Sequence, residues 1–222
     1  MLLNGRNACV EIPGLASAHP QAYTMRLWVR LRALPRTHNQ GWIVLRNRGG
    51  DFYEFALKVV TRGAPCFAAR VENGSDEQAI EVQSTVAPKI GRWQLLTVTF
   101  GEGRLCLYVD GKQVGRKAIV GKLYTESKET MQIGSYQNEP FHGDLNDVRL
   151  FRTGLSKLQI EEIADGKQDV AKEEMVGSWK RNDDVKPELK QPIEIIAHER
   201  IRKLLLRAFR SPADAKTLKL YT

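Results

Sequence analysis

Four side chains with binding chemistry alternate along one short segment. Arg26, Trp28, Arg30 and Arg32 occupy every second position of TMRLWVRLRA (24–33). Successive side chains of a strand point to opposite faces, so these four share one face while Met25, Leu27, Val29 and Leu31 line the other. Guanidinium and indole groups interleaved in this way can stack on sugars or bases and pair with phosphate or sulfate. The structural alternative puts Trp28 under a loop, with the arginines solvated around it. A second set consists of oxygen ligands: Asn73, Asp76 and Glu77 in one loop, and Asn138, Glu139, Asp144, Asn146 and Asp147 near another. Calcium takes about six to eight such oxygens. Turn chemistry and strand-edge capping account for the same residues, and Asp147 in particular reads as structural.

A third set lies near the end of the chain. From Pro192 the sequence runs PIEIIAHERIRKLLLRAFR, and its periodicity predicts a helix over 193–210. Ala197, Ile201, Leu204, Leu205 and Ala208 share one face, while Arg200, Lys203, Arg207 and Arg210 form a stripe on the other. Such a helix can dock its apolar face in a partner's groove or on an anionic membrane surface. It can equally pack back on its own domain and leave the basic stripe in water.

Other reactive groups carry little pattern. His19, His38, His142 and His198 lack the spacing of a zinc site or a catalytic dyad. Gly49-Gly50 is not followed by the Lys-Ser/Thr of a nucleotide loop. Cys9, Cys66 and Cys106 sit in apolar, strand-like stretches and read as small buried hydrophobes. No cofactor is expected beyond the calcium alternative.

The elements that must carry these groups are mostly strands. The 222 residues suit one all-β unit or two smaller domains, and 42% hydrophobic residues suffice for a core. Period two dominates residues 8–152. Strand candidates are 8–12, 24–33, 41–47, 52–60, 66–72, 79–86, 92–100, 103–109, 130–135 and 141–152. Asp110-Gly111 is the strongest hairpin signal, because a type I′ turn needs two positive φ angles. Strands at about ten-residue spacing without intervening helices predict an antiparallel sandwich or barrel. Ser156 and Gln159 then form a capping box, with Leu155, Leu158, Ile160 and Ile163 at roughly helical spacing and Gly166 as a stop. That predicts a short closing helix. Residues 166–192 read as a polar linker interrupted by a strand-like piece at 175–180.

Thirty-four basic against 26 acidic side chains give a net charge of +8, unevenly spread. Residues 1–60 hold eight basic and three acidic groups, and 166–222 hold thirteen and nine, whereas 121–165 hold five and eight. The excess favours anionic partners. No apolar run approaches the ~18 residues of a membrane span, and MLLNGRNACV lacks the core of a signal peptide. With its unpaired cysteines the chain as it stands reads as cytoplasmic, or as extracellular if it is a domain cut from a secreted protein.

NGRNACVEIP (4–13), MRLWV (25–29), GRWQLLTVTF (91–100), GRLCLYVDGKQV (103–114), IGSY (133–136) and FHGDLNDVRLFRTGLSKLQI (141–160) together resemble the laminin-G-like, or concanavalin A-like lectin/glucanase, superfamily. The resemblance covers about residues 3–165. It implies an all-β jelly-roll sandwich of two antiparallel sheets at 1–165, followed by the 166–192 linker and a 193–222 helical extension. Gly143 would let one strand pass closely under a neighbour. The family usually binds rather than catalyses, so the leading expectation is a non-catalytic module for carbohydrate or protein ligands. Its hydrolases carry E-x-D patterns along a strand that flank the scissile bond with two carboxylates; here no Glu is followed two residues later by Asp. The alternatives are a scaffold subunit docking through its C-terminal helix, and polyanion binding, nucleic acid included, through the Arg26–Arg32 face.

Overall fold

The computed structural model describes residues 2–4, 9–12, 22–36, 40–49, 52–72, 79–120, 131–134, 139–167, 170–181 and 193–196. These hold strands β1 (Leu2–Asn4), β2 (Val10–Ile12), β3 (Tyr23–Leu31), β4 (Gln40–Gly49), β5 (Phe52–Val60), β6 (Cys66–Glu72) and β7 (Ala79–Gln83). They continue with β8 (Trp93–Gly101), β9 (Arg104–Val109), β10 (Lys112–Ala118), β11 (Met131–Ile133), β12 (His142–Phe151), β13 (Met175–Arg181) and β14 (Ile193–Ile196), and include one helix, α1 (Lys157–Ala164).

The strands form two antiparallel sheets. The larger runs β10-β9-β8-β3-β12-β13-β14 with β1 also paired to β12, and the smaller runs β2-β11-β4-β5-β6-β7. Between them lies one apolar core, as the period-two pattern predicts. Leu27, Val29 and Leu31 of β3, Leu96 and Val98 of β8 and Leu105 and Leu107 of β9 meet Ile43, Leu57, Val59, Phe67 and Ala69 of the smaller sheet. Each of the valine, leucine, isoleucine and phenylalanine side chains among them contributes about 1.5–3 kcal/mol when fully buried. The predicted jelly-roll sandwich is the observed architecture.

Turn chemistry fixes the registers. Asp110 (φ 51°) and Gly111 (φ 76°) both take positive φ, which is the predicted type I′ turn joining β9 to β10. A Cβ on Gly111 would also come within 2.7 Å of Ala164 Cβ, so that position must be bare for α1 to seat. The capping box forms as expected: Ser156 Oγ accepts from Gln159 N–H and Gln159 Oε1 accepts from Ser156 N–H. α1 lies on the outer face of the larger sheet. Ile160 and Ile163 pack there with Leu95, Cys106, Tyr108, Phe151 and Leu155, while Leu158 faces solvent.

Two sequence expectations need correction. The strand-like piece in the 166–192 linker is β13, which pairs with β12 and so extends the sandwich sheet past residue 165. Residues 193–196, expected to open the amphipathic helix, instead form β14 and pair with β13, Ser178 facing Ile196 in register. Ile193, Ile195 and Ile196 are β-branched and suit an extended segment on that edge. The sequence-predicted helical residues Arg200, Ile201, Lys203, Leu204, Leu205, Arg207 and Arg210 lie outside the described residues. No helix among the described residues is long and apolar enough to cross a membrane.

Candidate functional site

β3 places Arg26, Trp28 and Arg30 on the outer face of the larger sheet, as the alternation requires, but their environments diverge along the strand. Arg26 is 5% exposed and its Nη1 donates to Asp147 Oδ2 at 2.7 Å. Arg149 Nε donates to Asp147 Oδ1 at 2.8 Å. Asp147 sits at φ 48° in an irregularity of the β12–β3 ladder, which turns its carboxylate toward both guanidiniums. Burial would raise the Asp147 pKa, but the Arg149 and Arg26 guanidiniums outweigh it and hold the carboxyl below the usual carboxylate range. Trp28 is half-buried against the cluster under α1. The expected four-residue binding face is therefore corrected at one end: Arg26 belongs to a buried ion-pair network and cannot reach a ligand.

The other end of β3 stays open. Arg30 pairs in register with Trp93 of β8 and Asp144 of β12. Its Nε donates to Asp144 Oδ2 at 2.8 Å, and its Cζ lies 4.9 Å from the centre of the Trp93 ring, a cation–π stack. Arg32 grips the same carboxylate with Nε at 2.9 Å from Oδ2 and Nη2 at 3.2 Å from Oδ1. The Arg30 and Arg32 side chains remain 33% and 46% exposed, and Trp93 40%. A guanidinium has five N–H donors, and each arginine commits only one or two of them to Asp144. The Gly91 amide donates to the Leu31 carbonyl at 2.8 Å, which brings the loop carrying exposed Ile90 to the end of β3. Trp93 heads its strand, and its register opposite Arg30 puts it on the outer face.

Asp144 does not suit the calcium role considered for it. Burial would raise its pKa, but hydrogen bonds from Arg32 and Arg30 prevail and keep it below the usual range. Its carboxylate already carries two cations, which a further cation would have to displace. Asn73, Asp76 and Asn138 lie outside the described residues. Among the described residues no cluster of three or more His, Cys, Asp or Glu side chains is arranged to hold a metal. His142 serves through its backbone, its carbonyl accepting from Arg32 N–H at 3.0 Å. Cys66 and Cys106 are buried as expected, whereas Cys9 is exposed.

A polar network on the outer face of the smaller sheet escaped the sequence reading. Lys58 Nζ lies 5.1 Å from the Trp42 ring centre, 2.8 Å from Glu81 Oε2 and 3.0 Å from Gln40 Oε1. Glu139 accepts from Gln40 Nε2 at 2.6 Å and from the Trp42 indole N–H. Trp42 is only 2% exposed, so this network holds the sheet together rather than offering a ring to a ligand. Its members come from three separate strands and a loop, and period two along any single strand cannot reveal that.

The chain belongs to the concanavalin A-like lectin/glucanases superfamily, whose laminin G-type model matches residues 4–161. Solved structures share the fold. A candidate carbohydrate-binding protein from Bacteroides ovatus is 14% identical with a TM-score of 0.62, over 88% of this chain and 56% of that one. Domain 4 of AbnA, a GH43 extracellular arabinanase from Geobacillus stearothermophilus solved with arabinotriose, is 18% identical with a TM-score of 0.57, over 73% and 75%. The CBM40 of Ruminococcus gnavus IT-sialidase, bound to α2,3-sialyllactose, is 12% identical with a TM-score of 0.58, over 74% and 95%. No curated protein matches the sequence.

Proposed function

We propose that this chain is a non-catalytic carbohydrate-binding module whose platform is Trp93 with Arg30 and Arg32. The observation that carries the reading is the exposed Trp93 indole, with a guanidinium held against its ring by an ion pair behind it. Sugars present one apolar face of C–H groups and a rim of hydroxyls. An indole can take the face, and the outward N–H groups of Arg30 and Arg32 can take the rim. Asp144 fixes both arginines before any ligand arrives, which lowers the ordering cost of binding. The likeness in fold to domains solved with arabinotriose and sialyllactose supports the ligand class and leaves the individual sugar open. A binding rather than hydrolytic role fits the sequence, which lacks the E-x-D pattern of the family's hydrolases.

Polyanion binding through the same strand is the weaker reading, because Arg26 is spent on Asp147 and, of the three arginines in the 26–32 set, two reach solvent. The experiment is a glycan array followed by calorimetry on the full chain, with and without calcium. Hits that lose at least tenfold in affinity on Trp93→Ala, with unchanged melting, support the platform. An array without hits in either condition, or hits indifferent to Trp93→Ala, overturns it.

A further inference from the structure

β8 ends far from Trp93, at Gly101, and there the sheet meets the start of α1 over a cleft of about 300 Å³. The cleft is floored by Thr99 of β8 and Tyr108 of β9 and walled by Gln113 and Arg116 of β10, Arg104 of β9 and Lys157 of α1. We propose that this cleft is a second binding site, for an acidic saccharide of one or two rings carrying a carboxylate or a sulfate.

Charge is the first argument. Arg104, Arg116 and Lys157 project from three different elements around one concavity, against a single lining carboxylate, Glu102. That carboxylate is 86% exposed and 4.0 Å from Arg104, an open surface pair that leaves the guanidinium available. Lys157 has its own loose partner in Glu161 at 3.6 Å. The positive field reaches the floor of the cleft: burial raises the Cys106 thiol pKa, and Arg116 and Arg104 act against that rise.

Size and hydrogen-bonding pattern are the second. About 300 Å³ is the lower bound of ordinary ligand pockets, and a bare oxyanion would leave most of it to water. The Gln113 amide and the Tyr108 phenol, whose Oη donates to Gln113 Oε1 at 3.4 Å, supply both donors and acceptors beside the cations, while the Thr99 hydroxyl at the floor accepts from Thr24 Oγ1 at 3.2 Å. Sugar hydroxyls need both, whereas an inorganic anion uses donors only. Planar guanidinium forks from Arg104 and Arg116 suit a carboxylate or sulfate bidentately.

The site is tested by calorimetry on the full chain with digalacturonate, N-acetylglucosamine 6-sulfate, lactose and inorganic sulfate. At least one acidic sugar should bind tenfold or more tighter than lactose and than inorganic sulfate, and the two acidic probes tell a carboxylate preference from a sulfate preference. Arg104→Ala and Arg116→Ala, both at exposed positions, should each weaken that binding at least tenfold with unchanged thermal melting. Lys167→Ala, an exposed cation paired with Glu162 outside the cleft lining, should leave it unchanged. Acidic sugars that bind no tighter than lactose, inorganic sulfate that matches them, or affinity that Arg104→Ala and Arg116→Ala leave untouched would overturn the proposal.

Discussion

Arg26 and Asp147, 121 positions apart in sequence, meet at 2.7 Å on the outer face of the larger sheet, both nearly excluded from water. The pair locks β3 to β12 where the ladder between them is irregular. Removing one partner of a buried pair strands the other charge and costs about 3–5 kcal/mol, against about 0.2–1 kcal/mol for exposed pairs such as Lys157–Glu161. Asn tolerates the left-handed backbone of position 147, so Asp147→Asn isolates the charge. We expect Asp147→Asn to destabilise the fold by about 3 kcal/mol and Glu161→Gln by less than 1, measured by urea denaturation. Equal losses from the two variants would show that the buried pair holds nothing extra.

The same carboxylates set the acid limit. Asp144 and Asp147 are both held below their ordinary pKa in the fold. A group with a depressed folded pKa adds stability that is fully present above its unfolded value, about 3.9 for Asp, and is lost as pH falls through the folded value. Melting temperature should therefore be flat with respect to these two groups near neutrality and drop below about pH 4. In Asp147→Asn the acid slope should be shallower, because one of the two linked protons is gone. An unchanged slope would rule out Asp147 as a contributor.

The sandwich was readable because burial on one face writes period two into each strand, and the Asp110-Gly111 turn and the Ser156–Gln159 box are local signals that depend on neighbours only. What stayed hidden is what depends on strands distant in sequence. Arg26, Trp28 and Arg30 look equivalent along β3, yet β12 supplies Asp147 to one and Asp144 to another, while β8 supplies Trp93. Ile193–Ile196 reads as helix by apolar content and becomes strand because β13 offers it a free edge. Register between remote strands thus decides which member of an alternating set is buried.

Gly143 shows the opposite case, a packing constraint visible in sequence. A Cβ there would lie 2.4 Å from the Arg30 carbonyl oxygen and 2.6 Å from the Phe141 ring. Backbone cannot yield as a flexible side chain can, so even a methyl group must push β12 off β3. Gly143→Ala should cost at least about 2 kcal/mol in denaturant unfolding. Gly91→Ala, where open space surrounds the position and only the positive φ opposes a side chain, should cost about 1 kcal/mol. A Gly143→Ala variant as stable as wild type would mean the two strands are free to separate.

Asp144 touches no ligand in the proposed platform, yet it should set the platform's affinity. Its two oxygens fix Arg30 against Trp93 and hold Arg32 alongside, so binding finds donors already in place. Asp144→Asn keeps the shape and removes the charge, leaving both guanidiniums to search several rotamers before gripping a sugar rim. Ordering a long side chain costs about 0.5–1.5 kcal/mol, so the two arginines together predict a loss of roughly five- to 140-fold in affinity. The loss should show as a less favourable binding entropy, since the contacts finally made are the same. Trp93→Ala instead deletes contact surface and should lose enthalpy. Binding that survives Asp144→Asn undiminished would mean that the arginines act without prior positioning, or not at all.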